Sequence, residues 1–511
     1  MNRIVIYIVC LMGFAPFALS APLHPHTLSR HLRVDLLWDG GQHQDVVIQR
    51  ASSPEGPFET IHRGECGIPV FSDFLGAPGR TRYYRVRPER PANSPWSKVV
   101  SGVSRNSTID QLLTEVQEAS FRYFWDYGHP VSGLAREGSS RSPELCAIGA
   151  TGMGFFNLVV GVERGFVRRD RAADRALKTL GFLADKAHRY HGAYGHWING
   201  DTGEHIPFGD QIDGADLVET AFLAAGFIFL REYFDGETET EREIRALADR
   251  LFKEIEWDYF VSTKPGRKVL DWHRYSTQGE QRLKVAGFNE CKIVYLLAIG
   301  SPTHGISTDF FWEGWRHEHY SHPHEAFGVP IELSRGVGFP LFFTHYSYLG
   351  FDPKALDLNG RSYFNHFRDV CRIQVRYAAS RAEDFVGYGP LWGLTASIGP
   401  DGYAINKPGV ETDKGTIAPT AALSSMPYLP EESIACLKVM YEEYGAQIWD
   451  QYGFRDAFNP TRNWVARGVL GIDVGPIAPM IENYRSGLCW DVFMRAPEIR
   501  DTLEKLGRGK E

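Results

Sequence analysis

Residues 216–230 read DLVETAFLAAGFIFL, and from Thr220 to Leu230 almost every position is apolar, whichever face of a helix it falls on. A helix of that kind is buried on all sides. A second such run, IVYLLAI at Ile293–Ile299, lies further along the chain. Elsewhere the spacing is one-sided: Ile109, Leu112, Leu113, Val116, Ser120, Tyr123 and Phe124 follow the i, i+3, i+4, i+7 rule, with Asn106, Ser107 and Thr108 placed to cap the start. Comparable helical stretches fall near 169–190, 216–234, 240–258, 288–299, 361–379, 430–444, 475–485 and 496–506, and Pro430-Glu431-Glu432 supplies the proline and acids that a first turn favours. One-sided helices alternating with fully apolar ones imply an outer ring packed around an inner ring. The fold class expected is mainly α, an α/α toroid.

Ahead of that region the period changes to two. LRVDLLW, DVVIQRA, TRYYRVRP and SKVVSGV alternate apolar and polar residues between turn clusters such as SSPEGP at 52–57, which predicts a small β-sandwich. Its strand order is similar to fibronectin type III-like modules, which serve as spacers or docking platforms. Further upstream, Asn2 and Arg3 precede the apolar run Ile4–Leu19 and small residues ahead of Ala21, the pattern of a cleaved secretory signal and too short for a membrane span. The division expected is a signal at 1–20, a sandwich at 28–104 and a catalytic domain at 108–507, with the chain exported to the periplasm.

Net charge is −8 with no long basic run, so a nucleic-acid backbone finds little to hold. Cys10 leaves with the signal, and the six other cysteines are scattered without zinc-type spacing, so neither bridges nor a metal site is predicted from them. No serine-hydrolase elbow and no phosphate-binding loop is present. HEHYSHPHE (His317, His319, His322, His324) lacks the spacing of a metalloprotease helix and reads as a loop or pocket edge.

Three acids open the apolar run: Asp213, Asp216 and Glu219, at i, i+3, i+6. Asp213 and Asp216 suit a helix cap and first turn. Glu219 enters an apolar wall, where an acid must be paired, protonated or functional. Glu290 leads into the second run in the same way, so both glutamates are expected at one mouth of the toroid. Late in the chain, Gly387–Arg485 packs acids, aromatics and glycines into loop-like motifs suited to a polyhydroxylated ligand. There Asp413 sits among glycines and prolines. Hydrolysis of a glycosidic bond needs one carboxyl group protonated and another ionised, and Glu219 with Asp413 offers such a pair. Trp125, Trp197, Trp272, Trp392 and Trp464 could stack on sugar rings, with Asn459, Arg462, Asp473 and Arg485 for the hydroxyls.

Several long motifs recur in one order: FRYFWDYGHPVSGLARE, ATGMGFFNLVVGVERG, GADLVETAFLAAG, VAGFNECKIVYLLAIGSPTH, GFPLFFTHYSYLGFDP, GYGPLWGLTASIGPDGY, GTIAPTAALSSMPYLPEES and YGFRDAFNPTRNWVARGVLGIDVGPIAPMIENYRSGL. Together these resemble the glucoamylase-like domain of glycoside hydrolase family 144, over nearly all of Thr108–Gly507. The resemblance implies an (α/α)6 barrel that hydrolyses β-1,2-glucan or its oligosaccharides with inversion, by endo attack or by exo release of sophorose, without metal or organic cofactor. It places the acid on Glu219, in a helix whose wording here differs from the family's, and the second carboxyl on Asp413, with Asp126 and Glu137 as pocket residues. Asp216, Glu290, Trp392 and Trp464 join them as expected substrate contacts.

Two other functions compete. α/α toroids also host polysaccharide lyases, for which His345 and Tyr346 could serve as base and acid. A glycan-binding protein without turnover is the other.

Overall fold

The computed structural model describes residues 22–209, 214–262, 268–274, 283–317, 320–333 and 336–508. Seven antiparallel strands come first: β1 (His26–Arg30), β2 (Arg33–Leu37), β3 (Gln44–Ala51), β4 (Glu59–Cys66), β5 (Val70–Phe74), β6 (Thr81–Pro88) and β7 (Val100–Val103). They form two sheets, ordered β1-β2-β5 and β4-β3-β6-β7. Period-two patterning puts Val34, Leu36, Trp38, Val46, Ile48, Tyr84 and Val86 between the sheets, where all are buried.

The sandwich is welded to the helices. Arg33 on β2 is only 1% exposed; its Nε donates to Asp35 at 2.9 Å and its Nη1 to Glu115 at 3.2 Å, and its guanidinium lies 4.4 Å from the Trp449 ring centre. Tyr441 also pairs with Arg33 and donates to the His31 carbonyl at 2.8 Å. Beside this network Ile68 and Val70 pack with Tyr123, Tyr127 and Tyr452 in one apolar cluster.

The helices are α1 (Ile109–Trp125), α2 (Ile148–Glu163), α3 (Arg169–Asp185), α4 (Leu217–Tyr233), α5 (Glu239–Lys253), α6 (Lys292–Gly300), α7 (Tyr363–Ser380), α8 (Pro419–Ser424), α9 (Pro430–Ile448), α10 (Gly471–Val474), α11 (Ile477–Arg485), α12 (Leu488–Phe493) and α13 (Pro497–Arg508). Around the inside run α2, α4, α6, the short turns Leu341–Thr344 and Tyr346–Tyr348, α8 and α11, which closes back on α2. Outside lie α1, α3, α5, the turn Phe310–Trp315, α7 and α9, with α13 packed on α6. This is the α/α toroid with a leading sandwich that the pattern implies, in the (α/α)6 form that the resemblance implies.

Local chemistry explains the elements. Thr108 closes a capping box with Gln111 at the head of α1, the threonine oxygen accepting from the Gln111 amide at 3.3 Å. Every residue of α6, and α4 from Leu217 to Leu230, is buried, as inner-ring helices must be. The helix α2 was not expected, because its glycines weaken the helical signal. Those glycines seat it on α4: a Cβ at Gly152 would lie 2.3 Å from the Phe222 carbonyl oxygen, and one at Gly226 would lie 2.8 Å from that of Gly152. The six cysteines among the described residues are free and buried. No helix among them is long and apolar enough to cross a membrane.

Candidate active site

The inner helices open on a cavity of about 560 Å³. Ala147, which caps α2, Asp216, which caps α4, and Glu290, just ahead of α6, all line it, so the N-terminal ends of three inner helices converge there. Such ends carry partial positive charge and favour anionic groups. Much of the remaining wall comes from Glu137 and Arg141, His196 and Trp197, Trp272 and His273, the hairpin Ala396–Gly399 with Gly402–Ile405, and Leu470 with Ile472 at the start of α10.

Asp216 is 1% exposed and has every oxygen in use. Oδ1 accepts from the Val218 and Glu219 amides, both at 3.0 Å, and Oδ2 faces His196 Nδ1 at 2.9 Å and His273 Nε2 at 3.2 Å. Burial alone would raise its pKa, but the hydrogen bonds and charge of the two histidines hold it well below the carboxylate range. It is therefore an ionised cap and a clamp on two imidazoles. His196 is raised to about 9: burial opposes its charge, and Glu219, Asp216 and Glu137 outweigh burial.

Glu219, one turn into α4, is the opposite case. Burial, then the neighbouring Asp216 charge, lift its pKa to about 7, against the pull of His196 and a 2.7 Å hydrogen bond from the Gly149 amide. Glu290 is pushed up to about 7 as well, first by burial and then by the charges of Glu219 and Asp216. Glu137 is raised by burial, while the His196 cation favours its ionised form. Neighbouring acids are thus held in different protonation states, as acid–base hydrolysis requires.

Trp197, Phe208, Phe222, Trp272, Phe342, Tyr346 and Tyr403 give the cavity aromatic walls. Phe208, Leu283, Tyr403 and Ile405 are large apolar side chains left exposed, and all four line its mouth. Flat apolar surfaces beside acids and histidines suit the C–H faces and hydroxyls of sugar rings.

The structure brings Glu219, Glu137, Asp216 and Glu290 together, with Trp197 and Trp272. Other expected residues lie elsewhere. Asp413 is outside the lining; Oδ1 accepts from Tyr388 and the Gly415 amide, each at 2.8 Å, and Oδ2 from Tyr377 at 3.1 Å, so its polar capacity holds a loop. Trp392 is core, 1% exposed, its Nε1 donating to the Glu432 carbonyl. Asn459 caps the turn Pro460–Arg462 and ties it to Lys414 and Thr416. Arg462 pairs with Asp401 on the surface, and Trp464 sits on a short strand against Asn459. Arg485 binds Gln117 and Asp110 of α1, Asp126 caps the end of that helix, and Trp125 stacks on Phe121 beside Arg175. Asp473 lies behind the wall, holding Tyr346 at 2.9 Å. Asp213 and His319 fall outside the described residues. His324 has its ring nitrogens against the His322 and Gly336 carbonyls, and among the described residues no group of three His, Cys, Asp or Glu is arranged to hold a metal. His345, the lyase base considered above, is buried beside Ser425 and lowered to about 3 by burial, away from the cavity.

Missed from the pattern were Arg141, His196, His273 and Tyr403. The adjoining pairs His196-Trp197 and Trp272-His273 were the available signal for the histidines.

A buried glutamate with its pKa raised to about 7, opening into an aromatic cleft at the mouth of an α/α toroid, is an arrangement suited to a glycosidase. The family described as "Glycoamylase: Putative glucoamylase" matches residues 282–497. An exo beta-1,2-glucooligosaccharide sophorohydrolase (non-reducing end) of Parabacteroides distasonis is 37% identical, aligned over 96% of this chain and 71% of its own. The crystal structure of a beta-1,2-glucanase from the same organism superposes with a TM-score of 0.89 at 36% identity, covering 95% of this chain and 72% of that one. An endo-beta-1,2-glucanase from Chitinophaga pinensis, in complex with sophorotriose and glucose, gives 0.75 at 40% identity over 78% and 98%. The chain belongs to this glucoamylase-like family, glycoside hydrolase family 144.

Proposed function

We propose that this protein is an exported hydrolase of β-1,2-glucooligosaccharides that releases sophorose in exo fashion, with inversion. Support for exo action comes from the sophorohydrolase relative, whose alignment takes in the sandwich as well as the toroid. Export to the periplasm rests on the apolar run Ile4–Leu19 behind Arg3. Glu219 carries the proposal: a buried carboxyl group with its pKa at about 7, opening into the aromatic cavity.

In this mechanism the Glu219 carboxylic acid gives its proton to the glycosidic oxygen as the bond to the anomeric carbon breaks. A water on the far face attacks that carbon and loses its proton to a carboxylate. Asp413 was expected in that role, but its oxygens are engaged outside the cavity. Glu290 is pushed up to about 7 by burial first, with the Glu219 charge adding to that lift only while Glu219 is ionised. Glu137 is raised too, by burial, but unlike Glu290 it has the His196 cation beside it to favour its ionised form, and the base is placed there in this proposal. Asp216 positions Glu219 through the α4 cap and fixes His196.

Incubation with linear β-1,2-glucooligosaccharides, beside laminarin and starch, followed by chromatography and polarimetry, tests this. Sophorose alone with the α anomer first is expected. A ladder of oligomers would replace exo by endo attack, retention would remove the inverting mechanism, and no product from β-1,2-linked chains would overturn the function.

A further inference from the structure

Behind the wall formed by Tyr346, Leu470 and Ile472 lie two carboxyl groups that the reaction above does not use. Asp456 is 5% exposed and Asp473 2%. Asp456 is anchored by backbone: Oδ2 accepts from the Ile398 amide at 2.6 Å and Oδ1 from the Leu470 amide at 3.2 Å. It thereby ties the hairpin bearing Ala396, Tyr403 and Ile405 to the wall bearing Leu470 and Ile472. Asp473 Oδ1 accepts from the Tyr346 hydroxyl at 2.9 Å, while its Oδ2 is buried and meets no N–H or hydroxyl donor. The two buried carboxyl groups are close enough to act on each other.

Two carboxylates have only acceptors, so a hydrogen bond between them needs a proton on one of them. Asp456 already has two amide donors; Asp473 Oδ2 has none. We propose that Asp473 is a neutral carboxylic acid that donates to Asp456 and holds the Tyr346 hydroxyl as a hydrogen-bond acceptor for a sugar hydroxyl in the cavity. Tyr346 has one proton, and it is committed to Asp473 Oδ1. The Tyr346 ring sits in the cavity lining with its centre 5.7 Å from that of Phe222 and 5.2 Å from that of Phe342, and on this proposal its oxygen offers lone pairs to the cavity. A substrate group that donates is accepted there; one without a hydroxyl at that place is not. Burial, followed by the Asp456 charge, moves Asp473 well above the carboxylate range, in keeping with the geometry. Asp473 is on this account a positioning residue, neither base nor direct ligand.

The sugar as donor rests on the hydrolase proposed above; the proton on Asp473 does not. Asparagine mimics a neutral aspartic acid, with an oxygen for Tyr346 and an N–H for Asp456. Asp473→Ala and Tyr346→Phe are expected to lower kcat/KM on β-1,2-glucooligosaccharide about tenfold, chiefly through KM, and Asp473→Asn to restore it to within about threefold of the parent. Infrared difference spectra at neutral pH, parent minus Asp473→Asn, should show the C=O band of a protonated carboxyl group. If the asparagine variant is as impaired as the alanine one while melting like the parent, Asp473 acts as an ion and the proposal falls. Absence of the infrared band overturns it as well. Should the parent cleave no β-1,2-linked chain, the hydrolase assignment fails and the band still decides the proton.

Discussion

Replacing Glu219 by glutamine separates the acid's chemistry from its cost to the fold. The Glu219 pKa rises from the ordinary 4.5 to about 7 on folding, which corresponds to about 3 kcal/mol of stability lost when the group is ionised in the folded state. The sign follows from proton counts. Between these values the folded chain holds a proton that the unfolded chain has released, so this contribution to stability is intact below about pH 4.5 and is lost as pH rises through about 7. Glutamine never ionises, and its oxygen can keep the Gly149 amide. A Cβ at Gly149 would stand 2.4 Å from Glu219 Oε2, so little room exists for the side chain to turn. Glu219→Gln should therefore melt near the parent at pH 5 and above it at pH 8, by an amount equivalent to about 3 kcal/mol. Hydrolysis should drop by about 10² to 10⁴ at every pH. Scanning calorimetry across pH 5–8, with product release measured on the same samples, checks both. Equal pH dependence of melting in the two proteins would refute a proton-holding Glu219, and retained turnover would refute its role as acid.

Other expectations concern the scaffold. Lys292 is fully buried, its Nζ lies 2.8 Å from the Tyr363 ring centre, and burial drives its pKa well below 10.5. Since the unfolded chain binds the extra proton, the parent should gain stability as pH rises toward 10; Lys292→Met should melt higher and lack that slope in calorimetry. Arg33→Met takes one cation from Glu115 and Asp35, which keep Arg105 and Arg30, and chemical denaturation should show about 1–3 kcal/mol lost. Gly152→Ala drives a methyl group into the α4 backbone, so a large fall in melting temperature is expected, with Gly165→Ala as a control for positive φ in open space.

The ring of helices was legible where side chains alone decide burial. DLVETAFLAAGFIFL has no polar face, and an inner ring buries it on every side beside one-sided neighbours. Glu219 was legible for the same reason, as an acid at the edge of that run. What stayed hidden depended on partners far away in the chain. The helix α2 has glycines at 149, 152, 154 and 161, which penalise a helix in isolation and are rewarded only by the approach of α4 to the first two and of α1 to the last two. Asp413 looked available among glycines and prolines, yet the hydroxyls of Tyr377 and Tyr388 claim it. His196 and His273 meet through Asp216, although the three residues come from separate segments. The acid pair Asp456 and Asp473 is likewise invisible until the loops are folded.

The join between β2 and α9 bears on how such chains are inherited and handled. A linker-borne module can be cut away or traded between proteins without disturbing what it precedes. Here Arg33 reaches through to Tyr441 and Trp449, so removing the first hundred residues would strip a raw, charged and aromatic face onto the toroid. The two parts of this chain carry matched faces, and a shortened version of it would need that face resurfaced to stay in solution.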